Sequence, residues 1–459
     1  MHLGPFDRRT RRSRCAPCAT SHSKCSGSIP CAQCQKRCIE CIFPAVSAPS
    51  NGATIRLAKG KLFTAKSFAT PVTQRPVPPL SDETINYIFY FDIFIRKNSF
   101  TGQGPEYVAD VQQLAKTCGQ TGRGPHNHLL DAMLALGAMQ ARILGASGCH
   151  NSLRFALEHY LQSITSLRGA VLDSTLARKD SILWSTFFLG LFELLQDASG
   201  QKWLQHMVFG TSQALIASGP SACTSGTMRK FFIQARTFEV CRSIIFNQSS
   251  FLAAPEWMKV TRNLSEEANI QSRASVDDIL NIIVLCSRLR ARTYASFPGV
   301  EVPSIDALEL ATEGFYLRDA LDTWKLDASF SSAQHNEMLL AMIYYSATSI
   351  YLSGNYDYDL HHWQAMTVAV PVLSRDEILK HVEDILQTTR EALRSSTLSP
   401  LLHLFPLRVA GARSQEHSQR QAVTECLLEV KKQFAVADAM LVELDELWSL
   451  SPIQTPLDS

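Results

Sequence analysis

The chain has 459 residues, 46% of them hydrophobic, and a formal net charge of +2. A chain of this size and apolar content can bury a sizeable core, in one large domain or in two to three ordinary ones. Its charge is uneven: residues 1–41 carry eight Lys/Arg against two Asp/Glu, while the remainder carries thirty-six against forty. A local positive excess excludes a protein that is basic throughout and points to a nucleic-acid contact near the N-terminus.

Residues 1–14 form a basic arm with Arg8, Arg9, Arg11, Arg12 and Arg14. Arginines stand where a secretory signal needs an uninterrupted apolar run, so export is not expected and the cysteines are read as thiols. Residues 15–41 then hold seven of the thirteen cysteines. Six of them, Cys15, Cys18, Cys25, Cys31, Cys34 and Cys41, follow the spacing C-x2-C-x6-C-x5-C-x2-C-x6-C, two halves with the same internal spacing. A C-x2-C pair lets two thiolates grip one metal from a tight turn, and a third thiolate returns to it after a short helix. Each half supplies three ligands, where zinc takes four in a tetrahedron. Two zinc ions therefore require two bridging sulfurs, one from each half in the symmetric solution. Ligation at about 10–16 kcal/mol per structural zinc folds a segment of this size without a core. The metals and thiolates together sum to about −2, which leaves residues 1–41 near +4. A purely structural knot does not need that excess, although a nuclear import signal can share the same arginines.

The pattern resembles the binuclear zinc cluster of fungal transcription factors, a six-cysteine, two-zinc DNA-binding domain of two short helices. Residues 15–41 carry the resemblance, and Pro30 before Cys31 matches a proline common in the connecting loop. The resemblance implies bridges at Cys15 and Cys31, with Cys18 and Cys25 completing one zinc and Cys34 and Cys41 the other. It implies a nuclear protein bound to double-stranded DNA at short CG-rich half-sites, the helix between the second and third cysteines entering the major groove. Here that helix offers His22 and Lys24 to the bases, with Arg8, Arg9, Arg11, Arg12 and Arg14 placed for phosphates. Many members have Arg or Lys directly after the second cysteine, whereas Cys18 is followed by Ala19, Thr20 and Ser21. The opening is more similar to the subgroup that includes the aflatoxin-pathway regulator, in which a Lys stands at the place of His22. That similarity implies control of a secondary-metabolite gene cluster, with activation the family default. His22 can donate to a guanine acceptor, but with an ordinary pKa of about 6.5 it attracts phosphate less than Lys. Cys38 is the odd thiol, either an auxiliary or redox-sensitive group or a tolerated spare, since the six-residue spacing already satisfies both metals.

Residues 42–80 hold six of the twenty prolines and read as an extended, disordered linker. Nothing there repeats apolar residues every seven, so no coiled coil is expected beside the cysteines. A homodimer or heterodimer contact is expected in the helical part instead. Residues 81–450 read as a large all-α regulatory domain, and residues 451–459 as a tail, so the fold class is mainly α. Apolar residues recur at helical spacing in Ile85, Ile88, Phe89 and Ile93, and again in Leu129, Leu130, Met133, Leu134 and Leu136. Further helices are expected near 151–170, 181–197, 203–217, 228–247, 276–296, 335–353, 376–395 and 420–448, with ends good to about 2–4 residues. The apolar run at residues 182–195 contains Glu193 and is shorter than the roughly 20 residues of a membrane span, so a buried helix is expected.

The stretches KWLQHMVFGTSQALIASGP (202–220) and FEVCRSIIFNQSSFLAAPEW (238–257) resemble the helical regulatory domain that accompanies many such clusters. Trp203, His206 and Gly210 share a helix face that suits a small-molecule site or, by default, packed core. Arg236 and Arg242 suit either an anionic effector or a carboxylate such as Glu239. Residues 434–450 alternate acidic and bulky apolar residues, which fits a segment that recruits transcription machinery or a packed terminal helix on the face of Val436, Leu441, Leu444 and Trp448. No H-E-x-x-H, G-x-S-x-G or G-x-x-x-x-G-K-[ST] is present, and no catalytic residues are expected.

Overall fold

The computed structural model describes residues 32–37, 81–101, 104–121, 127–146, 151–172, 179–201, 210–269, 274–296, 304–331 and 335–450. The chain divides into two units, Met1–Arg75 and Pro76–Ser459. The described part of the first is one short helix, α1 (Ala32–Lys36). The expected linker lies outside the described residues.

The second unit opens with α2 (Asp82–Lys97). The Ser81 hydroxyl accepts from the Thr84 amide at 3.2 Å, Asp82 and Glu83 occupy the first turn, and Arg96 and Lys97 the last, an order that complements the helix dipole. α3 (Val108–Thr121) precedes α4 (His128–Ile143), which is capped by Asn127 accepting from the amides of Leu129 and Leu130. With α5 (Ser152–Leu172) and α6 (Lys179–Gln196) these make a first bundle in which α2, α5 and α6 pack around α4. α4 passes so close to α2 that a Cβ on Gly137 would sit 2.0 Å from the Tyr87 carbonyl oxygen, so only glycine allows that crossing.

A short α7 (Ser212–Ser218) leads to α8 (Gly226–Ile245), and α9 (Pro255–Asn269) begins with proline in its first turn. A second bundle is built from α10 (Val276–Ser296), α11 (Ser304–Ala328), α12 (His335–Ser353) and α14 (Arg375–Ser395), with the short α13 (Leu360–Ala365) between the last two. α15 (Leu404–Arg413), α16 (His417–Lys431) and α17 (Ala437–Leu450) close the unit. α8 is buried on nearly every side because it touches α6 of the first bundle, α10 of the second, and α15. The unit is also tied across the chain: the Ser99 amide donates to the Thr397 carbonyl and the Ser399 amide to the Ser99 carbonyl, each at 2.8 Å. This isolated parallel bridge is the only β pairing among the described residues. The core is aromatic at the α6–α8 contact, where Trp184 stacks on Tyr107 at 4.8 Å and meets Phe231 edge-on at 5.1 Å.

The all-α expectation holds for the described residues, and the expected helices at 276–296 and 335–353 coincide with α10 and α12. α6 contains the 182–195 run as a buried helix, whose Glu193 accepts from the Tyr160 hydroxyl at 2.5 Å. No described helix is long and apolar enough to cross a membrane.

Three differences are informative. α3, α9, α11 and α15 lie outside the expected stretches. α11 buries Leu310, Leu317 and Trp324 yet exposes Leu308, Tyr316 and Leu326, so it presents no single apolar stripe to read. The expected helix at 420–448 is two helices, because Phe434 between them is fully buried against Phe94 and the Val436 amide donates to the Leu194 carbonyl at 3.3 Å. In α2 the buried stripe is Tyr87, Phe91, Phe94 and Ile95, leaving Ile85 and Phe89 more than half exposed.

Candidate functional site

Of the residues assigned to metal or DNA from sequence, Cys34 is the one that falls on described residues. Cys15, Cys18, Cys25, Cys31, Cys41, His22, Lys24, Arg8, Arg9, Arg11, Arg12 and Arg14 lie outside them. Cys34 sits in the middle of α1 with its side chain 1% exposed, while Gln35, Lys36 and Arg37 face solvent. The Arg37 amide closes the helix by donating to the carbonyls of Gln33 and Cys34, both at 3.2 Å. Cys34 therefore stands on a single helical turn with its side chain away from solvent and Lys36 and Arg37 exposed.

In the helical unit, α8 carries the two arginines singled out from sequence. Arg242 donates to Glu239 through Nε at 2.9 Å and Nη2 at 2.8 Å, and through Nη1 to the Gln248 side chain at 2.8 Å. The hydroxyls of Ser212 and Ser250 donate to the same carboxylate at 2.9 and 2.8 Å. Every strong donor and acceptor of this buried pair is thus engaged, and it is structural. Arg236 pairs with Asp277 of α10 instead of Glu239. Arg242 is thus not open to an anionic effector, whereas Arg236, 2% exposed, keeps its Nε and Nη1 buried without a partner among the described residues. Trp203 and His206 lie outside the described residues, and Gly210 is half-buried just before α7.

A cavity of about 370 Å³ lies among the end of α6, α8, the 400–405 turn, α15 and the start of α17. Its walls include Leu194, Phe238, Ile245, Leu402, Phe405 and Met440. Two polar side chains of α8, Thr237 and Cys241, lie one helical turn apart on the cavity side. The Cys241 sulfur is 3.3 Å from the Tyr344 hydroxyl, and burial pushes its thiol up to about 11 against the opposing effect of that hydrogen bond. The charged residues Arg408 and Glu443 are partly exposed and pair in a bidentate contact, with Nε at 3.0 and 2.9 Å from the two carboxylate oxygens. Gly200, with φ +67°, makes room for Val436, whose methyl would meet an added Cβ at 3.1 Å. Sequence reasoning missed this site because its residues run from Leu194 to Glu443 with no shared spacing.

The 434–450 stretch is a packed terminal helix in this structure. Val436 and Leu444 are buried, Leu441 and Trp448 pack on the core, and the Trp448 indole donates to the Gly411 carbonyl at 2.9 Å. Its acidic residues Asp445 and Glu446 remain on the outer face.

Residues 109–455 match the fungal specific transcription factor domain, and the chain belongs to that family of transcription regulators. Over 122 residues it is 24% identical to the uncharacterized protein AN5342 of Emericella nidulans, a stretch that covers 26% of each chain. The match thus spans about a quarter of that relative's length. No solved structure matches.

Proposed function

We propose that the protein is a zinc-dependent, sequence-specific DNA-binding transcription factor that acts in the nucleus on RNA polymerase II genes. Its regulon, in this reading, is a fungal secondary-metabolite gene cluster, which it activates. The observation that supports this is the union, in one chain, of six cysteines in repeated C-x2-C-x6-C spacing under a local positive charge with the fungal specific transcription factor domain at residues 109–455.

The donor set suits zinc. It is six soft thiolates with no carboxylate or imidazole among them, and the described member, Cys34, turns its sulfur away from solvent. Cys15 and Cys31 would be shared between the two ions, Cys18 and Cys25 would hold one of them, and Cys34 and Cys41 the other. Bound zinc would supply the cross-links and offset most of the thiolate charge. His22 and Lys24 then read base edges, while Arg8, Arg9, Arg11, Arg12 and Arg14 set the register on phosphates. One cluster reads too few base pairs to be selective across a genome, so two half-sites and a paired partner are required. The pairing surface, with a second copy or a related chain, belongs to the helical unit, which also recruits the transcription machinery.

The test is a gel-shift titration of the full-length protein on paired CG-rich half-sites against scrambled competitors. His22→Ala is expected to relax base preference by about 1–3 kcal/mol at the favoured position. Arg12→Ala is expected to weaken all sequences alike and to lower the salt slope by about one unit. Equal affinity for scrambled DNA would overturn this reading and favour a corepressor or interaction protein without sequence readout.

A further inference from the structure

The cavity among α6, α8, α15 and α17 takes no part in the zinc or DNA chemistry, and a threonine stands in its otherwise largely apolar wall. Thr237 is 1% exposed and lines the cavity, and its hydroxyl makes no hydrogen bond among the described residues. A hydroxyl at the wall of an apolar cavity, with no bond to another described residue, is free to bond a molecule that enters it. The other polar groups are already engaged. Cys241 is with Tyr344, and Arg408 and Glu443 neutralise each other.

We propose that this cavity binds a small neutral amphipathic molecule, an apolar skeleton carrying one alcohol or carbonyl oxygen that hydrogen-bonds to Thr237. The volume of about 370 Å³ falls within the range of about 300–1,000 Å³ typical of small-molecule sites, and the walls supply aliphatic and aromatic contact with Thr237 among them. A carboxylate is disfavoured because the cavity's one cation already has its anion, and burying an unpaired charge is expensive. Val436, Ala439, Met440 and Glu443 bring the start of α17 into the cavity wall, so an occupant ties the terminal helix to α8 and α15. A ligand that binds only this packed arrangement shifts the population toward it. The inference rests on the cavity alone and survives or fails independently of the DNA reading.

The experiment uses full-length protein and the neutral fluorophore N-phenyl-1-naphthylamine, whose emission rises in apolar sites. The fluorophore is expected to saturate at one site per chain and to be displaced by 1-decanol at least about tenfold more tightly than by decanoate. Thr237→Val keeps the shape and removes the hydroxyl. It is expected to weaken 1-decanol by about two- to tenfold, the worth of one hydrogen bond, and to leave displacement by octane within about twofold. Ala439→Phe fills the space from α17 and is expected to abolish fluorophore binding while circular dichroism keeps its helical signal. Absence of saturable binding, tighter displacement by decanoate, or an equal effect of Thr237→Val on 1-decanol and octane would each overturn the proposal. If Ala439→Phe does not fold, the 1-decanol to octane ratio in Thr237→Val decides the matter alone.

Discussion

Residues 15–41 contain two isoleucines and no aromatic residue, leucine, valine or methionine, whereas the helical unit fully buries Trp184, Trp363, Tyr344 and a series of phenylalanines. The first region has almost nothing to bury and the second is organised by burial. A segment of that size without a core requires cross-links to fold, and cysteines at fixed spacing are the groups it carries. The helical unit needs no such device. Its buried Cys223, Cys241, Cys286 and Cys426 are thiols without a disulfide, and burial raises the pKa of each. In the proposed reading the same residue type has two roles in one chain. It is read by spacing in the first region and by environment in the second.

The sharpest way to break this contrast is to remove one sulfur. Cys15→Ala or Cys31→Ala should take the full-length protein from two bound zinc ions to none in native mass spectrometry, while Cys38→Ser keeps both. The thermal transition of the helical unit should stay where it is in all three variants. A single retained zinc in Cys15→Ala, or metal loss in Cys38→Ser, contradicts the bridged arrangement.

The converse change is Glu239→Ala. It leaves Arg242 buried without its carboxylate and strips a partner from Ser212 and Ser250, and should lower the stability of the helical unit by about 3–5 kcal/mol in urea titration. Zinc content should not change. A loss of zinc in this variant would show that the two regions do not fold independently.

A smaller effect follows from acid. Burial lowers His403 to about 4, and neither ring nitrogen has a partner. The unfolded chain takes up that proton near pH 6.5 and the folded chain does not, so the contribution of neutral His403 is complete above about 6.5 and is lost as pH falls toward 4. The loss should total about 3 kcal/mol, at roughly 1.4 kcal/mol per pH unit. His381, also lowered to about 4 mainly by burial, acts in the same direction. His403→Leu should flatten part of this acid limb in melting curves taken between pH 7 and 4, and an unchanged slope would count against it. The smallest effect concerns a helix start: Ser374→Ala removes the capping box with Glu377 and should destabilise by about 1 kcal/mol.

The two regions were also unequally legible. Ligands of one metal in a small cluster lie close along the chain, so their spacing survives in the sequence, as does an i, i+3 pair such as Glu239 and Arg242. Arg236 and Asp277 are 41 residues apart, and no local signal joins them. Ile85 and Phe89 show why apolar periodicity alone misplaces a face. α2 has apolar residues on two sides, and the arrival of α4 at Gly137 selects the side with Tyr87 and Phe91. The break between α16 and α17 contains neither glycine nor proline, and is imposed by the burial of Phe434 and the Val436 bond to α6.

By itself the sequence determined that this is a mainly α protein with a cysteine-rich basic N-terminus, and it located most of the long helices. Those features are written in short-range spacing: the period of the helix, the reach of a C-x2-C turn and the clustering of charge. Tertiary structure decided which helix faces are buried, that the terminal acidic stretch packs through Leu444 and Trp448, and that residues from Leu194 to Glu443 line one cavity. These depend on which distant elements meet, and burial is a property of that meeting rather than of any local run of residues.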